Sequence, residues 1–168
     1  MKECMEKPIL LANEATKAFK IADHLTYVTF PLLNDQKLFA TIAEKLKEAL
    51  DKGMRAVLEF DYLYKRIQFV PTEFQNRISL LRQYASKRYS FSPEIFTTMQ
   101  DIEEIVARRR ESPIEFIRRD RLVIASADYR LKTVTLEKIK QYVQSTKTFI
   151  SKVNEIMQTS DRRLFEWS

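Results

Sequence analysis

Glycine is almost missing from this chain of 168 residues: there is one, Gly53, beside five prolines. An all-β fold needs such residues at turn after turn, so that class is excluded. A single cysteine, Cys4, rules out an internal disulfide and suits a reducing compartment. A single histidine, His24, leaves with that cysteine no zinc-type ligand set, and the chain has no glycine-rich phosphate loop. No metal or cofactor is implied. No apolar run approaches the ~20 residues of a membrane span. Ile9 to Ala12, behind a mixed-charge start, is too short a patch for a signal peptide. The expectation is a cytoplasmic protein without a membrane partner.

What the chain does have is helical periodicity. Hydrophobic residues make up 45% of it, enough to bury one sizeable core. The spacing predicts a single all-α domain over 1–159, a four- to five-helix bundle, followed by a short tail over 160–168. Residues 34–69 read as one long central helix, about 50 Å at ~1.5 Å per residue. Leu38, Ile42, Leu46, Ala49, Gly53, Val57, Phe60, Tyr64 and Ile67 recur on it at steps of three and four. Gly53 lies on this apolar stripe, which points to close approach of another helix. The pairs Glu48–Lys52, Asp51–Arg55 and Asp61–Lys65 have the spacing of ion pairs on a solvated face.

Around the central helix the pattern places a helix over 12–30, ended by Pro31, and a third from a T-x-x-Q capping box at Thr72 to Arg88. Ser92-Pro93-Glu94 opens a fourth, closed by Arg108-Arg109-Arg110. Ser112-Pro113-Ile114-Glu115 repeats the start signal and predicts a short helix over 113–119. Residues 122–125 and 129–134 are strand-like. A turn at Ala127-Asp128 would make them a small hairpin, with Ile124 opposite Leu131 and Leu122 opposite Thr133. Thr135 then caps a last long helix. In the tail, Leu164, Phe165 and Trp167 either dock on the bundle or belong to a loose terminus.

Three stretches carry a resemblance: residues 23–32 (DHLTYVTFPL), 61–67 (DYLYKRI) and 112–120 (SPIEFIRRD). In that order they resemble a group of uncharacterised, mainly archaeal, helical-bundle proteins. The long helical hairpin also resembles the HEPN superfamily in architecture, many of whose members cleave RNA or act as toxin partners. The HEPN ribonuclease signature is an arginine followed by histidine four to six residues later. Here Lys17 and Lys20 precede His24 and no arginine stands upstream. The resemblance therefore implies at most a non-catalytic relative.

The net charge is +6, and most of the excess falls in residues 108–132. Arg108, Arg109, Arg110, Arg118, Arg119, Arg121, Arg130 and Lys132 gather there, with Phe116 and Tyr129 among them. Arginine binds phosphate bidentately and aromatic rings stack on exposed bases, so this corner is the candidate site for nucleic acid or an acidic protein. Glu111, Glu115, Asp120 and Asp128 also lie in the segment and would neutralise part of it. Tyr62, Tyr64, Lys65 and Arg66 form a second aromatic–basic group, and Tyr84, Lys87, Arg88 and Tyr89 a third. On antiparallel helices the two would lie far apart. The function expected is a non-enzymatic binding protein. The alternatives are an adaptor subunit that forms a homo- or hetero-oligomer and a HEPN-type ribonuclease.

Overall fold

The computed structural model describes residues 2–111, 114–128 and 130–166, with side chains described over 5–159 of these. Helix α1 (Lys2–His24) runs through a π-helical turn, Leu25–Thr29, into α2 (Phe30–Leu33). This first rod is longer at both ends than its stripe suggested. Pro31 does not end it. Phe30 donates its N–H to Leu25 O, and this widened turn lies directly ahead of the proline. A proline in a regular helix collides with the carbonyl four residues back, and the wider turn relieves that contact. Asn34 ends the rod instead, with φ 49° and its N–H on Phe30 O at 2.7 Å. It is a C-terminal left-handed cap, not the N-cap of the next helix.

The central helix α3 (Leu38–Leu63) is 26 residues, about 39 Å long, and shorter than the 34–69 stripe. Ile42, Leu46, Ala49, Gly53, Val57 and Phe60 are buried on it. Tyr64 is exposed, while Ile67 is buried from the loop beyond. Lys65, with φ 55°, turns the chain out of the helix, and Arg66 N–H bonds Asp61 O at 2.9 Å. A Cβ built on Gly53 would stand 2.7 Å from Phe149 Cε1 and 3.3 Å from Ile150 Cδ1 of the last helix. The close approach expected at that glycine is present.

The third rod comprises α4 (Phe74–Leu80), a π-helical turn over Leu81–Ala85, and α5 (Ser86–Tyr89). Its N-cap is Glu73, and no side chain caps it, so the Thr72 box does not form. Arg77 bonds Asp51 on α3, while Arg88 and Tyr89 bond Asp61. Both chains therefore climb in the same direction, so the third rod is parallel to the central helix. The connection over 64–73 must return ~24 Å, well within the reach of an extended chain of that length.

Helix α6 (Pro93–Glu111) follows, with Ile95, Met99, Ile102 and Val106 buried as its stripe required. Residues 115–118 are not helical. They form β1 (Glu115–Arg118), which joins β2 (Arg121–Ala125) and β3 (Leu131–Val134) in an antiparallel sheet of order β1-β2-β3. The local helix signal at Ser112 and Pro113 falls outside the described residues. Downstream, Phe116 and Ile117 pair with Val123 and Leu122, and this pairing overrides local propensity. The β2–β3 register is Leu122 opposite Val134 and Ile124 opposite Lys132, one residue from expectation. Ser126 N–H bonds Arg130 O at 2.9 Å, so the loop spans 126–130 around the Ala127-Asp128 turn. The observed register sets two buried side chains, Leu122 and Val134, opposite each other on the core face, where the expected one would have set Leu122 opposite the exposed Thr133.

Helix α7 (Leu136–Glu166) closes the fold and runs on past Thr159. Thr135 Oγ1 accepts the Lys138 N–H at 3.2 Å, the cap its position implied. Ile139, Val143, Thr146, Ile150, Val153 and Met157 are buried. The side chains of Leu164 and Phe165, and Trp167 itself, lie outside the described residues, as does Tyr129. Among the described residues the result is a mostly helical bundle of five rods carrying one small sheet. Among the described residues no helix is long and apolar enough to cross a membrane.

Candidate functional site

The eight basic residues of the Arg-rich corner do not behave alike. Arg108 pairs with Glu104 at 2.8 Å and donates to Arg130 O at 3.2 Å. Arg109 reaches Glu44 on the central helix at 2.8 Å and Glu115 on β1 at 3.5 Å. Lys132 meets Glu104 at 2.8 Å and Asp101 at 3.8 Å, and its ammonium holds the Glu104 carboxyl below the usual range. Arg130 pairs with Asp128 at 3.1 Å. Arg108, Arg109 and Lys132 fasten the sheet and the end of α6 to the bundle, whereas the exposed Arg130–Asp128 pair stays within its own loop.

The others are differently placed. Arg110, Arg118 and Arg119 are exposed and have no carboxylate within ion-pair reach among the described residues. Arg121 has only a long contact, 3.7 Å, to the exposed Asp120. Arg118, Arg119 and Arg121 occupy the two-residue turn between β1 and β2 and its flanks, with Arg119 in the left-handed region at φ 58°. Arg110 is separate and faces a second hollow beside Glu44, Glu48 and Asp51. The structure thus brings three arginines to one hairpin tip and holds most of the rest in ion pairs.

That tip stands at the mouth of an open groove of about 1850 Å³ between the N-terminal halves of α6 and α7. Arg121, Lys138, Lys140 and Lys147 line it, with Tyr27 on its wall. The three lysines are exposed and have no carboxylate partner among the described residues. Lys140 Nζ lies 5.9 Å from the Tyr27 ring centroid, and Lys138 Nζ 5.8 Å from that of Tyr142. The groove has acids too: Asp101 and Glu155 have side-chain partners, Asp120 has only the long contact to Arg121, and Glu94 and Glu137 have no side-chain partner among the described residues. Tyr142 donates to Asp101 at 3.0 Å, Glu155 pairs with Lys152 at 3.3 Å, and Glu94 and Glu137 sit in the first turns of α6 and α7. Sequence reading missed the lysines because 138, 140 and 147 do not form a run. Only the fold sets them beside the hairpin tip.

The second and third aromatic–basic groups, expected far apart, meet. Asp61 is fully buried and accepts from Arg66 at 3.0 Å, Arg88 at 2.8 Å and Tyr89 at 2.5 Å. Arg66 also donates to the Tyr89 hydroxyl at 2.9 Å and lies 5.0 Å from the Tyr64 ring centroid. Burial, reinforced by Asp61, raises the Tyr89 hydroxyl far above the usual tyrosine range. The local pairs expected along α3 do not form. Asp51 takes Arg77, Lys52 takes Glu14, and Asp61 takes Arg66 and Arg88. A buried carboxylate saturated by three donors is a clasp between α3, its following turn and α5. Both of its oxygens are engaged within the protein. His24, exposed, has only Thr29 Oγ1 beside it, at 3.4 Å.

No protein-family model, curated protein or solved structure matches this chain.

Proposed function

We propose that the chain is a non-enzymatic cytoplasmic binding protein that holds the phosphate backbone of a nucleic acid along the hairpin tip and its adjoining groove. One observation carries the reading. Arg121, Lys138, Lys140 and Lys147 line one opening and Arg118 and Arg119 flank Arg121 on the hairpin tip; all six are exposed, and five of them have no carboxylate partner among the described residues. Cations left unpaired in one place attract a polyanion, while those already paired contribute little. The test is equilibrium binding across a salt series. Each neutralised phosphate contributes about 0.7–0.9 to the log–log slope. Replacing Lys138, Lys140 and Lys147 with glutamine lowers the slope by about 2. Arg109→Gln, which breaks the Glu44 and Glu115 pairs, leaves the slope alone and lowers stability. A wild-type protein that shows no salt-sensitive binding overturns the reading.

A second reading, an adaptor that pairs strand to strand, rests on β1. It is an edge strand among the described residues, with Ile114, Phe116 and Ile117 between 40% and 61% exposed. Ala125 N–H bonds Ile114 O at 3.0 Å, which makes 114/125, 116/123 and 118/121 the hydrogen-bonded pairs. Glu115 and Ile117 therefore turn their backbone groups outward. A free, apolar strand edge is a template for another strand. Ile117→Pro removes an outward N–H and spares the sheet, so a concentration-dependent mass that this variant abolishes supports the adaptor. A monomer at every concentration removes its homo-oligomeric form.

A further inference from the structure

Leu122, Ile124 and Val134 are buried on the core face of the sheet. Strand alternation then places Phe116, Arg118, Arg121, Val123, Ala125, Leu131 and Thr133 together on the outer face, where Val123 is itself buried between its partners Phe116 and Thr133. Arg118 and Arg121 are direct cross-strand partners, so two guanidinium groups project from opposed positions beside the turn. Like charges in that arrangement repel. Asp120, its side chain 82% exposed, is the one carboxylate within ion-pair reach of either among the described residues, and it touches Arg121 alone. An oxyanion between the two arginines would turn the repulsion into attraction, since each guanidinium offers a planar fork of donors.

Phe116 stands two residues before Arg118 on the same face, 44% exposed, with the 60% exposed Leu131 two strands away. An aromatic ring left open to water beside a pair of unshielded arginines matches one kind of ligand. It must carry flat apolar faces and anionic groups at close, regular intervals. Single-stranded nucleic acid does, whereas a duplex has its base faces already stacked. Resting on the reading that this corner binds nucleic acid, we infer that the outer sheet face takes a single strand, one base stacked on Phe116 and the neighbouring phosphate held between Arg118 and Arg121.

Fluorescence anisotropy with a short labelled oligouridylate, a labelled oligothymidylate and a duplex of equal length tests this on the full chain. Either single strand should bind about tenfold or more tightly than the duplex. Phe116→Leu should lose about tenfold toward single strands and little toward duplex, and Phe116→Tyr should recover the loss. Far-UV circular dichroism of each variant establishes that it folds. Arg118→Gln should weaken both single strands and reduce the salt slope, with no loss in the thermal midpoint, since it relieves the repulsion from Arg121. Equal binding of duplex and single strand, with Phe116→Leu neutral, would overturn the single-strand assignment and leave backbone binding standing. Loss of all binding by the wild-type protein would instead remove the underlying reading.

Discussion

Asp61 is a fully buried charge that ties three segments together. Its carboxylate is out of water and satisfied three times over, by Arg66, Arg88 and Tyr89. Asp61→Ala leaves two guanidinium groups and a hydroxyl facing a void, a change that costs about 3–5 kcal/mol. Chemical denaturation reads it directly. Tyr89→Phe removes one donor and costs about 1–2 kcal/mol by the same measurement. Burial first, and a carboxylate second, raise the hydroxyls of Tyr89 and Tyr142. A raised group stabilises the fold fully below its unfolded value, near 10 for tyrosine, and that contribution is lost as pH rises beyond it. Tyrosinate absorbance should show these two ionising only with alkaline unfolding, and the Tyr89→Phe and Tyr142→Phe variants should lose less stability above that pH. Gly53 was legible from sequence because a glycine on an apolar stripe marks a place where a neighbouring helix leaves no room for a Cβ. Asp61 was not. Lys65, four residues on, offered a ready local partner, and only the left-handed turn at Lys65 itself removes that side chain and substitutes Arg66.

Among the elements, stripes were read well and endings poorly. The buried faces of α3, α6 and α7 follow their periodicity because each rod has a core to face. Ends depend on geometry that periodicity does not encode. The π-helical turn ahead of Pro31 carries the first rod to Leu33, and Asn34 stops it by adopting a left-handed conformation. Thr135 is the exception, a cap visible in sequence and present in the fold. Thr135→Ala should cost about 1 kcal/mol in thermal or chemical unfolding, since the Lys138 N–H loses its acceptor. The sheet was half legible. β2 and β3 showed as strand-like stretches, but β1 was hidden behind a helix-start signal. The register turned on one residue of loop, decided by the burial of Val134.

For the whole molecule, the decisive fact is the direction of the third rod. Short connections suggest antiparallel neighbours, and on that assumption the two aromatic–basic groups sit at opposite ends. The connection over 64–73 instead travels back along α3, so the rod lies parallel to it. Arg77 holds the start of that rod and Asp61 its finish. Arg77 is buried and donates to Pro71 O at 2.8 Å, Thr72 O at 2.6 Å and Asp51 at 2.5 Å, joining the returning connection to the central helix. The two clasps should therefore have different consequences. Loss of Arg77 frees the lower end while the Asp61 cluster still holds the upper one, so opening stays local. Arg77→Gln should raise amide hydrogen exchange over 71–80 and leave α1, α3 and α7 as protected as in the parent. Asp61→Asn leaves two cationic donors buried without their anion at the junction of three segments, and exchange should rise over 61–89 together with a lower global stability. If Arg77→Gln unfolds the whole bundle at once, the third rod is an integral part of the core and not a strap fastened at its two ends.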